Sequence, residues 1–161
     1  MAEETSTLHR GLREVYIDRT TSSYIDGKAG KLWYRGYSID DLASNCTFEE
    51  VIYLVMNGEL PTQSELDIFV QELSDNMTLP EAIIDIIRIT KDAHPMDVLR
   101  TAISALAAFD PEVNDNSAEA TLRKGTRLTA QAPTIVTTHA RIRNGQDPIS
   151  PSPDLSIAGN F

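Results

Sequence analysis

Two strings in the first half of the sequence, Thr47-Phe48-Glu49-Glu50 and Thr62-Gln63-Ser64-Glu65, set a hydroxyl residue three places before a glutamate and open an apolar run. That is capping-box spacing: the hydroxyl accepts a free backbone N–H, and the glutamate reaches back to the cap. The first box leads into Val51, Ile52, Leu54, Val55 and Met56 and stops at Gly58. The second leads into Leu66, Phe69, Val70 and Leu73, an i, i+3, i+4, i+7 stripe. Thr78-Leu79-Pro80-Glu81 is a third start signal, ahead of Ile83, Ile84, Ile86, Ile87 and Ile89. Such an isoleucine run also suits a buried strand, and the cap with a proline in the first turn selects a helix. A chain that opens helix after helix must bury their stripes against one another, so the expected fold class is all-α.

The pattern continues in both directions. Ser38-Ile39-Asp40-Asp41 starts a short helix through Leu42. His94-Pro95 opens another, with Leu99, Ala102, Ile103 and Leu106 on one face. Residues 110–118 read as a loop, and Glu119 to about Arg143 as one long helix with Pro133 inside it. That proline removes a backbone bond and is expected to kink the helix, and Asn144-Gly145 ends it. Pro148, Pro151 and Pro153 mark an extended connector, and Asp154, Leu155, Ile157 and Ala158 read as a further helix start. A helix start that stops on an apolar Phe161 reads as a break in a longer chain.

Residues 11–37 have a different texture. Val15, Ile17, Tyr24, Ile25, Leu32, Trp33 and Tyr34 are β-formers in short runs, and Gly27-Lys28-Ala29-Gly30 suits a tight turn between paired strands. A small antiparallel β element is expected near the N-terminus, with residues 1–10 as a mobile arm.

Charge narrows the partners. Twenty-four acids against fourteen bases give a net charge of −10 over 161 residues. That field repels phosphate backbones and anionic membrane surfaces, so no nucleic acid and no membrane is expected as a partner. The single cysteine, Cys46, makes no internal disulfide, and the acidic start Met1-Ala2-Glu3-Glu4 is unlike a basic leader. The expected compartment is the cytoplasm.

Residues that carry chemistry are sparse. His9, His94 and His139 lie out of helical reach of one another, and no metal-ligand spacing links them to Cys46. His94 is expected to cap its helix or accept a core hydrogen bond. His139, late in the long helix, is placed where a cation suits the helix dipole. Asp40-Asp41 and Glu49-Glu50 read as caps and solvated faces. Arg123 and Arg127, one turn apart, could hold an anion or form an exposed basic edge. Trp33 is expected in the core. No nucleophile elbow and no phosphate-binding glycine loop is present.

Longer strings point further. Tyr24-Ile25-Asp26-Gly27 and Leu32-Trp33-Tyr34-Arg35-Gly36-Tyr37-Ser38-Ile39-Asp40-Asp41-Leu42-Ala43 resemble the N-terminal signature of the citrate synthase family, bacterial and archaeal type. Phe48 to Val51, Gly58 to Thr62, His94 to Thr101, Ala132 to Val136, Arg141-Ile142, Asn144-Gly145, Leu155-Ser156 and Asn160-Phe161 follow in that family's order. The likeness covers residues 11–161. Two positions depart from it: Ile157 stands where a polar residue, often histidine, is expected, and His139 where an aromatic is common.

The resemblance implies a multi-helical homodimer with a large and a small domain. Residues 11–161 would be the N-terminal part of the large domain, with the small domain and the catalytic segments absent. It implies that acetyl-CoA, a substrate rather than a cofactor, condenses with oxaloacetate and water to give citrate and CoA at the entry to the tricarboxylic acid cycle. An aspartate base, an enol-stabilising histidine, a second histidine and carboxylate-holding arginines would do this. The family's His-Gly-Gly and Gly-His-Arg strings do not occur between Met1 and Phe161. No catalytic, cofactor-binding or metal-ligating residue is therefore assigned here, and the chain alone is expected to be inactive. The alternatives are 2-methylcitrate synthase, which uses propionyl-CoA, and a short non-catalytic paralogue serving as a dimerisation or binding module.

Overall fold

The structure, a computed structural model, describes Gly11 and residues 18–161. Residues 1–10, with His9, and the β-formers Val15 and Ile17 lie outside the described residues.

Three short strands come first: β1 (Ser23–Asp26), β2 (Lys31–Tyr34) and β3 (Tyr37–Ser38). They form one antiparallel sheet in the order β1-β2-β3, with Tyr24 opposite Trp33 and Tyr34 opposite Tyr37. The first turn is the glycine-flanked one expected, tightened by Asp26, whose Oδ1 accepts from the Lys28 and Ala29 amides at 3.0 Å. The second turn was not anticipated. Arg35 sits at φ 50° and Gly36 at φ 93°, the pair of left-handed residues a two-residue hairpin turn needs. Trp33 is half-buried against Tyr24, ring centroids 5.4 Å apart, rather than placed in the core.

Seven α-helices follow among the described residues. Ser38 caps α1 (Ile39–Asn45) through Asp40, and Leu42 is its buried residue. Both predicted capping boxes form, Thr47 with Glu50 on α2 (Phe48–Asn57) and Thr62 with Glu65 on α3 (Gln63–Asp75). Gly58 ends α2 at φ 99°, a left-handed cap that glycine reaches without a Cβ penalty. On α3 the stripe is narrower than expected: Phe69 and Leu73 are buried, and Val70 is exposed.

The isoleucine run is the helix α4 (Glu81–Ile89). Ile83 and Ile87, one turn apart, are fully buried, and Ile89 faces solvent. Its start differs from expectation. Pro80 is the cap residue and no side chain caps it, while the Thr78 carbonyl accepts from the Gln131 side-chain Nε2 at 3.4 Å. The missing N–H of a proline at a helix entrance leaves one donor fewer to satisfy. Helix α5 (Pro95–Leu106) begins at His94 as predicted and runs into a short 3-10 turn at Ala107–Phe109.

Ser117 caps α6 (Ala118–Arg143), one continuous helix of 26 residues through Pro133. The Thr137 hydroxyl donates to the Pro133 and Thr134 carbonyls at 3.1 and 3.2 Å, on the turn that follows the proline. The last helix, α7 (Ile157–Asn160), starts later than expected, with Ser156 rather than Asp154 as its cap. Ser156 Oγ accepts from the Gly159 amide, whereas Asp154 uses its own amide to reach Ser152.

Two apolar clusters form the core, and α6 joins both. Leu79, Ile83, Ile87, Val98, Ala102 and Leu106 meet Ile135 and Ile142 of α6. Ile52, Phe69, Leu73 and Met77 meet Ala130 of α6 and Ile157 of α7. Each large buried aliphatic side chain contributes about 1.5–3 kcal/mol on leaving water.

Arg35 ties the sheet to this core. Its Nε and Nη2 donate to the Val55 carbonyl at 3.2 and 2.8 Å, and its Nη1 donates to the Thr21 hydroxyl at 2.7 Å. Val55 lies in the last turn of α2, where carbonyls lack intrahelical donors and a cation suits the dipole. Arg35→Ala is expected to lower unfolding stability by about 1.5–3 kcal/mol, the contribution of charge-assisted bonds. Arg35→Gly is expected to lose about 1 kcal/mol less, because glycine escapes the cost of positive φ. Urea unfolding of the two variants measures both; wild-type stability in Arg35→Gly would remove the clamp from this account.

Candidate functional site

Polar groups converge at three places, and each is built from residues the sequence singled out or passed over.

At the first, the 110–117 loop is strapped to the opening turns of α6. Arg123 Nε and Nη2 donate to Glu112 Oε1 at 3.0 and 2.5 Å. Arg127 Nη1 donates to Glu112 Oε2 at 2.9 Å, and its Nη2 to Asp110 Oδ1 at 2.7 Å. Lys124 Nζ adds bonds to the Glu112 and Asp115 carbonyls. Arg123 and Arg127 do stand together and do hold an anion, but the anion is the chain's own Glu112. The bonds from Arg123 first and Arg127 second hold the Glu112 carboxyl down to about 2, from an ordinary 4.5.

At the second, α6 meets the turn after α4. His139 is buried, and its Nε2 lies 3.0 Å from the Lys91 carbonyl, to which it donates. The ring is covered rather than presented at an open helix end, and it bonds the backbone of the turn after α4. His94, by contrast, does cap its helix, its Nδ1 accepting from the Met96 amide at 3.3 Å.

The third is a cleft of about 410 Å³ between the second half of α6 and residues 149–161, lined by Thr134, Thr137, Arg141, Ser152, Ile157 and Asn160, among others. Asn160 organises its far wall. Its Nδ2 donates to the Ser152, Leu155 and Ser156 carbonyls at 3.0–3.1 Å, and its Oδ1 accepts from the Ser152 amide at 2.8 Å. Behind it, Glu49 of α2 is buried, and its Oε1 accepts from the Ile157 amide at 2.9 Å. Glu49 was expected on a solvated face, beside a Glu50 that closes the capping box. Only Glu50 serves the cap; Glu49 crosses to the start of α7, and nothing in an adjacent acidic pair distinguishes the two roles in advance.

Cys46 is half-buried, and burial first, then the Glu50 charge, pushes its thiol up, away from thiolate reactivity. Among the described residues no three His, Cys, Asp or Glu side chains stand close enough to hold a metal. No described helix is long and apolar enough to cross a membrane. The carboxylates and cations at the first place bind each other, and the polar groups at the other two bind backbone. The class defined by this fold and these sites is an all-α scaffold whose polar groups hold its own elements together.

Comparison with known proteins gives the scaffold its family. Residues 11–161 match the family profile described as "Citrate synthase, C-terminal domain". The chain is 41% identical to the citrate synthase of Haloferax volcanii over 96% of its own length and 42% of that protein. It is 39% identical to a 2-methylcitrate synthase of Mycobacterium tuberculosis over 99% of its length and 40% of that protein. Its structure is similar to that of citrate synthase from Pyrobaculum aerophilum, with a TM-score of 0.88 and 38% identity over 94% of this chain and 40% of that one. The chain belongs to the citrate synthase family and spans about two-fifths of the length of the relatives it matches.

The Glu112 linkage gives a pH signature. A carboxyl held low in the folded state contributes stability that is present above its unfolded value, and that is lost as pH falls through the folded value. The stability difference between wild type and Glu112→Gln is therefore expected to be full above about 4.5 and to shrink as pH falls toward about 2. Thermal melts across that window measure it; a difference that stays constant with pH would assign the effect of the variant to something other than this charge.

Proposed function

We propose that these residues are the N-terminal, large-domain part of a citrate synthase. In the whole protein acetyl-CoA and oxaloacetate would condense with water to give citrate and CoA, at the entry to the tricarboxylic acid cycle. The observation that carries this reading is the 41% identity to a protein named citrate synthase, sustained over 96% of the chain. The ordered strings from Tyr24 to Phe161 support the N-terminal placement, although the matching profile bears the words "C-terminal domain". The part in hand supplies scaffold. The aspartate base and the oxyanion-stabilising histidine that such a carbon–carbon condensation needs belong to the family's later segments, an Asp-containing strip and the His-Gly-Gly and Gly-His-Arg strings, and neither histidine string occurs in this sequence. Residues 1–161 alone are inactive on this reading, and the working enzyme is a cytoplasmic homodimer.

A second reading has its own support: the 39% identity to a protein named 2-methylcitrate synthase. That enzyme would take propionyl-CoA, one methylene longer. A methylene in a closed pocket is worth about 1–3 kcal/mol, or 10- to 200-fold in kcat/KM.

Thiol release from CoA by the protein encoded by the full reading frame tests both readings. CoA release that requires acetyl-CoA and oxaloacetate together is expected, with kcat/KM for propionyl-CoA at least about tenfold lower. The reverse preference would favour the second reading. A frame that ends at Phe161, with no CoA release from its product, would leave a dimerisation or binding module instead. Chromatography with light scattering at micromolar concentration reads the oligomer, and a monomer would remove the dimer from the proposal.

A further inference from the structure

The dipeptide Asn-Gly occurs twice in the sequence, and each copy closes a helix: Asn57-Gly58 at the end of α2 and Asn144-Gly145 at the end of α6. An asparagine before glycine can lose its amide without an enzyme, because glycine has no side chain to keep its nitrogen from the neighbouring carboxamide. The two copies share this local chemistry and differ in what surrounds them.

Asn57 is the last residue of α2, inside helical backbone. The Gly58 amide donates to the Leu54 carbonyl at 2.8 Å, and the Asn57 Nδ2 to the Tyr53 carbonyl at 3.1 Å. Gly58 is half-buried. The Arg35 guanidinium holds the adjoining turn through Val55, and the capping box of α3 begins at Thr62. The Asn57 side chain is exposed, but opening its backbone means opening a turn that Arg35 holds.

Asn144 lies just past the last helical residue, at φ −90° and ψ 11°. Arg143 to Asp147 are all exposed, and the chain beyond them is an extended connector. The Asn144 Nδ2 donates to the Ala140 carbonyl at 2.8 Å, and the Gly145 amide to the Ile142 carbonyl at 3.0 Å. Both are bonds of a helix's last turn, the first of them exposed, the kind that open locally without global unfolding.

We propose that Asn144-Gly145 is a site of spontaneous deamidation and that Asn57-Gly58 is its protected twin. The Gly145 nitrogen attacks Asn144 Cγ and a new N–Cγ bond forms. The Gly145 N–H proton passes to solvent, and the side-chain nitrogen leaves as ammonia. Water, the sole co-reactant, then adds to either carbonyl of the five-membered imide and opens it to aspartate or isoaspartate. Nothing is oxidised or reduced. The product places a carboxylate at the C-terminus of α6, the end where the dipole disfavours negative charge. It also removes the amide donor to Ala140. Isoaspartate in addition lengthens the main chain by one carbon where the connector leaves, next to the bonds that hold it: Gln146 amide to Arg141 carbonyl at 2.9 Å, and Arg141 Nε to Asp147 carbonyl at 2.6 Å.

The test incubates the full chain at mildly alkaline pH, in plain buffer and in denaturant, with helical circular dichroism recorded at the start. Peptide mass mapping then follows amide-to-acid conversion at both sites. In buffer, conversion at Asn144 is expected to outpace Asn57 by about fivefold or more, and the ratio is expected to fall toward one in denaturant. Arg35→Ala is expected to speed conversion at Asn57 and leave Asn144 unchanged. Equal rates in buffer, a faster Asn57, or a chain without helical signal that converts both alike would overturn the proposal. An Arg35→Ala variant with an unaltered Asn57 rate would overturn the protection assigned to the clamp.

Discussion

Close approach to α6 is the constraint on which the rest of this structure depends. One 26-residue helix has to receive α3, α4, α5 and α7, and helices that cross it can come near only where its side chains are small. Its buried positions show the result: Ala120, Thr126 and Ala130 along the first part, with Ile135 and Ile142 reserved for the cluster shared with α4 and α5. At Gly125 an added Cβ would stand 3.0 Å from the Met56 methyl of α2. A larger residue there would force α2 outward or bend the methionine away, and tightly packed interiors resist the first. Pro133 is compatible with the same logic. It removes one backbone bond from the middle of the helix, but the flanking Ala130 and Ile135 are buried against neighbours that hold the helix whatever its internal bonding.

The second layer of organisation is polar and works at the edges of that packing. Arg35 holds the sheet to the end of α2, the arginines of α6 hold the 110–117 loop, His139 holds the turn after α4, and Glu49 and Asn160 hold α7. In each case a side chain from one element satisfies backbone or charge on another. Unpaired carbonyls and amides at helix ends are costly only when they are covered, as the Ile157 amide met by Glu49 is. This explains why Arg35, Arg123, Arg127 and His139 are engaged without forming a reaction centre. Their donors are committed before any ligand arrives.

The helices were legible because their signals are local. A hydroxyl three residues before a glutamate, a glycine after an apolar run and a proline after a histidine act within one turn, so Thr47, Thr62, Gly58 and His94 could be placed from spacing alone. Pairings across distance were not legible. Glu49 differs from Glu50 only in which way the helix turns it, and its partner lies 108 residues away. Arg35 at positive φ carries no compositional mark, since its conformation is imposed by the hairpin it closes. Val70 matched the helical period and still faces solvent, because α3 is covered along a strip narrower than its apolar face. Periodicity reports what a helix can bury, and only the neighbours decide what it does bury.

The two positions that depart from the expected family pattern follow from the same distinction. Ile157, standing where a polar residue was expected, is buried beside Ile52, Phe69 and Leu73, and its amide is already served by Glu49. His139, standing where an aromatic is common, keeps a flat ring in the core and adds a bond to Lys91. Neither residue leaves a covered side-chain polar atom without a partner. This bears on what the scaffold can say about substrate. The chain is matched at nearly equal identity by a citrate synthase and by a 2-methylcitrate synthase. Discrimination between acyl chains that differ by one methylene arises at the surface that touches the acyl group. Residues whose polar groups are committed to holding helices together do not distinguish those acyl chains, in keeping with similar identity to both named enzymes.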